Sequence, residues 1–233
     1  TGYKADQFSY LREKFGVKLV HNPDYLTRNN NASIYAVRRI LKNTYICSAD
    51  NYFTENPFEA EVSDCYYAAL YAQGSTKEWC MEADDTGRIR SVTVGGENAW
   101  YMLGHVFWNE DFSRRFVEIL EAEYDLPETA GKLWGSIFIA HLDELEMKIR
   151  HYEDDRIFEF DTLDELRVFD ETYVSDTRSR ILKAVAAQLG CTEKEITEVT
   201  AFKTCDNAAA GFTFTFDGGR YACGYEDERI RRC

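Results

Sequence analysis

Two short segments carry carboxylates whose spacing suits phosphate and metal chemistry. In "NTYICSADNY" an apolar, strand-like run ends at Asp50. In "FEFD", Glu159 and Asp161 are two positions apart on an extended segment, so both side chains point to one face while Phe158 and Phe160 point to the other. Asp50 either starts a turn or lies at the carboxyl end of a parallel strand, where α/β sheets place ligands. Asp161 either caps the next helix or joins a cation site.

The elements that must position these carboxylates alternate between helices and strands. Hydrophobic periodicity predicts helices over residues 5–15, 32–41, 110–124 and 133–149, with another starting at 161 or 162. It predicts strands over residues 17–20, 45–49 and 156–160. The middle is β-rich, in "DCYYAALYA", "EWCMEAD", "RIRSVTVGG" and "NAWYMLGHVFW", with a turn at residues 85–87. Alternating helices and strands predict a parallel sheet with helical crossovers.

Composition excludes several classes of partner. The 233 residues include 41 acidic and 27 basic side chains, for a net charge of −14, so a nucleic-acid backbone would be repelled. No apolar run approaches the roughly 20 residues that span a bilayer, so no membrane insertion is expected. Seven scattered cysteines without a CxxC pair are typical of reduced thiols in a cytoplasmic protein. A metal site would therefore use oxygen ligands.

Five segments together resemble a known family. "TGYKADQF", "RNNNASIYAVRRIL", "NTYICSADNYF", "EWCMEADDTGRI" and "IFEFDTLDELRVFD" occur in the order and spacing of bacterial phosphocholine cytidylyltransferases, over residues 1–172. The resemblance implies a three-layer α/β/α nucleotidyltransferase (Rossmann-like) fold with a mixed, mainly parallel sheet. It also implies transfer of CMP from CTP to phosphocholine, giving CDP-choline and pyrophosphate.

The glycine-rich phosphate loop of such folds is not found in these residues. The chain has no GxGxxG and no GxxxxGK[ST], and "TGYKADQF" begins where a strand would already have ended. The resemblance implies roughly 50 residues, about two strand–helix steps, upstream of Thr1. Two alternatives stay open: a nucleotidyltransferase for sugar 1-phosphates or other phospho-alcohols, and a non-catalytic fragment that binds nucleotide or choline.

The resemblance assigns roles to the carboxylates and to the "NNNAS" loop. It places Asp50, Glu159 and Asp161 around a magnesium ion, which phosphoryl chemistry needs for charge neutralisation and in-line positioning. It assigns recognition of the nucleotide base to Asn30 and Ser33, whose amide and hydroxyl groups can bind a pyrimidine edge. The alternative for the loop is a plain N-terminal cap on the following helix.

Choline recognition requires aromatic faces, because a quaternary ammonium cannot donate hydrogen bonds. The resemblance favours Trp79 and, second, Trp134; both could instead be core residues.

Residues 173–233 form a second predicted domain. "TRSRILKAVAAQLG" predicts a helix that ends at Gly190, and "GFTFTFDGGRYACGY" predicts a hairpin. This domain resembles the start of a choline kinase small lobe, but no HRD-like or DFG-like segment follows. It is therefore interpreted as a kinase-like stub.

Overall fold

The computed structural model describes residues 1–233, which fold as two units, Thr1–Glu159 and Phe160–Cys233. The domain boundary expected from the sequence, after residue 172, lies inside the second unit. That boundary marks the extent of the family resemblance and stays a prediction.

The first unit contains four α-helices and six strands. The helices are α1 Tyr10–Phe15, α2 Asn31–Val37, α3 Glu110–Glu123 and α4 Trp134–Ala140. The strands are β1 Thr44–Ile46, β2 Asn51–Phe53, β3 Tyr66–Ala83, β4 Ile89–Trp108, β5 Lys148–His151 and β6 Ile157–Glu159. Short 3-10 turns cover Ala5–Phe8 and Pro127–Thr129.

A four-stranded mixed sheet in the order β1-β4-β3-β5 is the framework of this unit. β4 runs antiparallel to β1 and β3, and β5 runs parallel to β3, so three of the four strands point in one direction. The strands β2 and β6 form a separate antiparallel pair with Asn51 opposite Glu159. This pairing brings two of the acidic segments of the sequence together.

The helices α2, α3 and α4 pack into the core of this unit because each buries apolar side chains. Asn109 caps α3 by accepting a hydrogen bond from the Phe112 amide at 2.9 Å. The stripe of α3 then buries Phe116 and Leu120 against Trp108 of β4. Burial of one such side chain contributes about 1.5–3 kcal/mol, so this core stabilises the packing of α3 against the end of β4.

Several predicted elements differ from the structure. Residues 17–20 form no strand, and Val17 is exposed. The helix expected over 133–149 ends at Ala140, because residues 148–151 pair with β3 as the strand β5 instead. The strand expected over 45–49 ends at Ile46. The helix expected over 5–15 is broken at Ser9.

The second unit is a small α+β fold. Its helices are α5 Leu163–Phe169, α6 Thr172–Ser175 and α7 Arg180–Leu189. Its strands β7 Thr197–Lys203, β8 Ala209–Phe216, β9 Gly219–Gly224 and β10 Ile230–Arg232 form an antiparallel sheet in the order β10-β9-β8-β7. The predicted hairpin is present, with Asp217 and Gly218 in the left-handed region that its two-residue turn requires. In neither unit is a helix both long and apolar enough to cross a membrane.

Candidate functional site

The amide-rich loop before α2 is fastened to the segment that leads into α4. The side chain of Asn29 donates to the Gly131 carbonyl at 3.2 Å, and Asn30 Oδ1 accepts from the Trp134 backbone N–H at 2.7 Å. Asn30 therefore does not cap its own helix with its side chain; it caps the start of α4. Asn30 and Ser33 are both exposed, so their remaining polar groups are open to a ligand.

Four planar side chains, from the loop and from the ends of α2 and α3, stack on one another. The Arg28 guanidinium lies 3.7 Å from the centroid of the Tyr124 ring, which stacks on Tyr35 at 3.6 Å. Arg38 lies over the other face of Tyr35, also at 3.7 Å. Burial, followed by a hydrogen bond to Asp24, raises the pKa of Tyr124 to about 12, so its hydroxyl stays a donor. The stack ties the loop to α2 and α3.

The two tryptophans that the resemblance assigns to choline both lie at the start of α4. Trp134 is buried, stacks on Tyr67 at 5.9 Å, and contacts Trp108 edge-on at 5.3 Å. Trp79 is half-buried and lies against α4, since a methyl group on Gly135 would be 3.7 Å from its Cζ3 atom. Both rings pack against the core, and they lie beside the helix end that Asn30 caps.

The negative charge of Glu159 helps to raise the pKa of two tyrosines in the main sheet. Burial is the largest cause of the raised pKa of Tyr67, and the charge of Glu159 is the second. For Tyr101, burial is the largest cause, the charge of Glu78 is the second and the charge of Glu159 is the third. Because Tyr67 is the ring on which Trp134 stacks, Glu159 lies in the electrostatic neighbourhood of the aromatic pair.

The residues around Asp50 have the chemistry of a cation site. Asp50 is exposed and lies in the turn before β2 that the hydrogen bond from the Asn51 N–H to the Ser48 carbonyl closes at 3.4 Å. Asn51 Nδ2 donates to Glu159 Oε1 at 3.4 Å, while Asn51 Oδ1 is buried and has no hydrogen-bond partner. Carboxylate and amide oxygens are ligand types that Mg²⁺ prefers.

The third predicted carboxylate, Asp161, belongs to the second unit and is exposed. Thr162, not Asp161, caps α5, because its hydroxyl accepts from the Glu165 amide at 3.2 Å. No three His, Cys, Asp or Glu side chains converge as a metal site in the structure. The magnesium role of Asp50, Glu159 and Asp161 therefore stays a prediction.

Asn51 and Tyr67 both interact with the predicted site residue Glu159, although sequence reasoning did not select them. Asn51 follows Asp50 directly, which is a usable signal, but its position opposite Glu159 depends on the β2–β6 register. Nothing local distinguishes Tyr67 from its neighbours in the aromatic run "CYY".

Comparison with known proteins identifies two close relatives, and no family model matches. The 2-aminoethylphosphonate cytidylyltransferase of Lancefieldella rimae is 33% identical over 184 residues, covering 77% of this chain and 74% of that protein. The choline-phosphate cytidylyltransferase of Streptococcus pneumoniae is 29% identical over 171 residues, covering 73% and 75%. The solved structure of the CTP:phosphocholine cytidylyltransferase from S. pneumoniae superposes with a TM-score of 0.68 at 29% identity, covering 72% of this chain and 73% of that one. The superposition confirms the α/β nucleotidyltransferase fold expected from the sequence.

Proposed function

Because the chain belongs to the family of bacterial cytidylyltransferases, we propose that it transfers CMP from CTP to phosphocholine, giving CDP-choline and pyrophosphate. One observation supports this assignment above the others: Asn30 is hydrogen-bonded to the start of α4, where Trp134 stacks on Tyr67 within the field of Glu159. The Asn30 amide, the stacked rings of Trp134 and Tyr67, and the charge of Glu159 thus follow one another in the first unit, which supports a shared site.

The aromatic surface suits the choline end of the acceptor. A quaternary ammonium gains about 0.5–2 kcal/mol from each well-placed ring face and has no N–H to satisfy. Trp79 and Trp134 supply indole rings at the start of α4, and Glu159 supplies a negative charge beside Tyr67. The similarity to a choline-phosphate cytidylyltransferase favours phosphocholine over a sugar 1-phosphate.

In the reaction, a phosphate oxygen of phosphocholine forms a bond to the α-phosphorus of CTP while the bond from that phosphorus to the bridging oxygen breaks. The electron pair of the broken bond leaves with pyrophosphate. The chain's contribution is positioning: Asn30 and Ser33 hold the base, and the tryptophans hold the ammonium so that the attacking oxygen is in line.

The carboxylates Asp50 and Glu159 would hold magnesium in the first unit, with the unsatisfied Asn51 Oδ1 beside them. When bound there, magnesium neutralises phosphate charge and lowers the repulsion between the two anionic substrates. The role in binding magnesium that the family resemblance assigns to Asp161 stays a prediction.

The second candidate acceptor is 2-aminoethylphosphonate, because the relative that is 33% identical is described as acting on it. Its primary ammonium carries three N–H groups and would need oxygen acceptors, whereas the quaternary ammonium needs only aromatic faces. The aromatic character of the α4 region places phosphocholine first.

The test is a competition experiment with the intact protein, Mg²⁺ and CTP. Phosphocholine and 2-aminoethylphosphonate are supplied at equal concentration, and ³¹P NMR follows both CDP products. We expect CDP-choline to form faster. Exclusive formation of the phosphonate product would reassign the acceptor, and pyrophosphate release that needs no acceptor would contradict the transfer reaction.

A further inference from the structure

The strand pair β2–β6 carries the candidate carboxylates of the first unit and packs on β4 of the main sheet. Asp50 lies in the turn before β2, Asn51 begins β2 and Glu159 ends β6, with Asn51 opposite Glu159. Any shift of the strand pair therefore shifts all three residues. The position of the pair on β4 decides how far its carboxylates lie from the aromatic rings of the main sheet.

Gly104 on β4 lets β6 approach more closely than any side chain at this position would permit. A Cβ atom on Gly104 would lie 2.9 Å from Cδ1 and 3.1 Å from Cγ2 of Ile157, closer than such atoms normally come. Ile157 is 1% exposed, so its side chain has no open space into which it could turn. Gly104 also has a φ of +104°, a backbone conformation that other residues rarely adopt. The close approach and the backbone conformation both require glycine here.

A second contact, one residue further along β4, holds the other strand of the pair. The ring of His105 lies 5.4 Å from the ring of Phe53, edge-on. Phe53 is the partner of Ile157 across the β2–β6 pair. Two neighbouring residues of β4 thus contact two directly paired residues, one in each strand. The strand pair cannot move relative to β4 unless both contacts change.

We infer that Gly104 is a positioning residue for the transfer reaction, because it sets the distance between the carboxylates of β2–β6 and the rings of the main sheet. The inference rests on the proposed function, in which the carboxylates serve the phosphates and the rings serve the ammonium group. The charge of Glu159 reaches Tyr67, on which Trp134 stacks, so the two groups are close in this packing. Their separation then determines whether the attacking oxygen is in line.

Gly104→Ala tests the inference in the intact protein, supplied with Mg²⁺, CTP and phosphocholine. The added methyl group must move β6 outward by about 0.5 Å to reach an ordinary contact distance of 3.4 Å. Because a misplacement of about 1 Å can lower a rate about 100-fold, kcat should fall by about tenfold. KM for phosphocholine should stay at the parent value, since the rings that hold the ammonium group do not move. In the ligand-free protein, the NOE between the rings of Phe53 and His105 should weaken.

Gly74→Ala is the matched control, because Gly74 also has a positive φ, of +80°, but has nothing within 4 Å of an added methyl group. It should lower the melting temperature through backbone strain and leave kcat and the NOE unchanged. Ile157→Val, added to Gly104→Ala, removes Cδ1, the atom that lies nearest to the new methyl group. This double variant should recover most of kcat and of the NOE.

If Gly104→Ala does not fold, Phe53→Leu removes the second contact without backbone strain and should also lower kcat at an unchanged KM. A Gly104→Ala variant with the kcat of the parent, or a loss of kcat that Gly74→Ala reproduces, overturns the inference while the transfer reaction stands. A parent without turnover overturns the proposed function. The NOE comparison then decides by itself whether Gly104 sets the position of β6.

Discussion

A buried histidine should make the stability of the first unit depend on pH. His105 on β4 is fully buried, with Nε2 3.0 Å from the Tyr66 hydroxyl and 3.2 Å from the Tyr152 hydroxyl. The ring of Phe53 lies 5.4 Å away, edge-on. Both hydroxyls can donate to Nε2 only while that nitrogen carries no proton. Burial, and secondarily the positive charge of Arg150, lowers the pKa of His105 to about 4.

The size and sign of the effect follow from this pKa. An unfolded histidine has a pKa of 6.5, so between pH 6.5 and about 4 the unfolded state binds the proton and the folded state does not. The free energy of unfolding is therefore highest above pH 6.5 and falls as the pH is lowered toward 4. At about 1.4 kcal/mol per pH unit, the loss is about 3 kcal/mol. Burial raises the pKa of Tyr66 and of Tyr152, so neither phenol titrates in this window.

Urea unfolding followed by tryptophan fluorescence measures this loss. All four tryptophans (Trp79, Trp100, Trp108 and Trp134) lie in the first unit, so the signal reports that unit alone. The parent is compared at a series of pH values with His105→Phe, which cannot take up a proton. The variant should be less stable above pH 6.5, because two tyrosine hydroxyls lose their acceptor, but it should lack the histidine contribution to the slope.

The control is His21→Gln, which removes an exposed histidine and should keep the pH dependence of the parent. If the parent and His105→Phe lose stability in parallel below pH 6.5, the buried imidazole is not the titrating group. An NMR titration in which the His105 ring protonates near 6.5 would refute the assignment equally.

Three further changes test the site. Trp134→Ala removes a buried ring stacked on Tyr67 and should lower the free energy of unfolding by about 3–5 kcal/mol, measured in urea. Trp79→Ala should weaken phosphocholine binding about tenfold and CTP binding less, by calorimetry; equal losses would make Trp79 a core residue. Asp50→Asn should leave the melting temperature of the ligand-free protein unchanged or raised, and should remove most of the gain from Mg²⁺ with CTP. A variant that melts early yet keeps that gain would return Asp50 to a turn role.

The sequence correctly predicted the helices and strands whose own residue pattern matches the way they pack in the fold. The helix over residues 110–123 has an amphipathic stripe and a capping Asn109, and the structure confirms it within one residue. The local sequence pattern gave the wrong secondary structure where pairing with a distant strand determines it. Residues 148–151 continue an apparently helical segment, but the alternation of Met147 and Ile149 suits a strand once β3 is available to pair. Residues 17–20 have strand composition and pair with no strand.

Site residues were predictable by type but not by partner. Carboxylates at Asp50 and Glu159 stand out by their position after apolar runs. The hydrogen bond from Asn51 to Glu159 joins residues 108 positions apart and depends on one register, because a shift by one residue would turn Asn51 to the other face. The hydrogen bond by which Asn30 caps α4 likewise joins residues that are 104 positions apart. No local pattern encodes such pairs, since each depends on how distant elements pack.

Trp134 links the two halves of the proposed site by different parts of the same residue. Its backbone N–H orients Asn30, whereas its ring stacks on Tyr67 in the region proposed for the acceptor. A side-chain substitution at this position changes the ring and keeps the N–H. We therefore expect Trp134→Phe to change the discrimination between phosphocholine and 2-aminoethylphosphonate while it leaves CTP binding unaltered. This separation would let related enzymes that are described as acting on different acceptors keep the same cytidylyl donor.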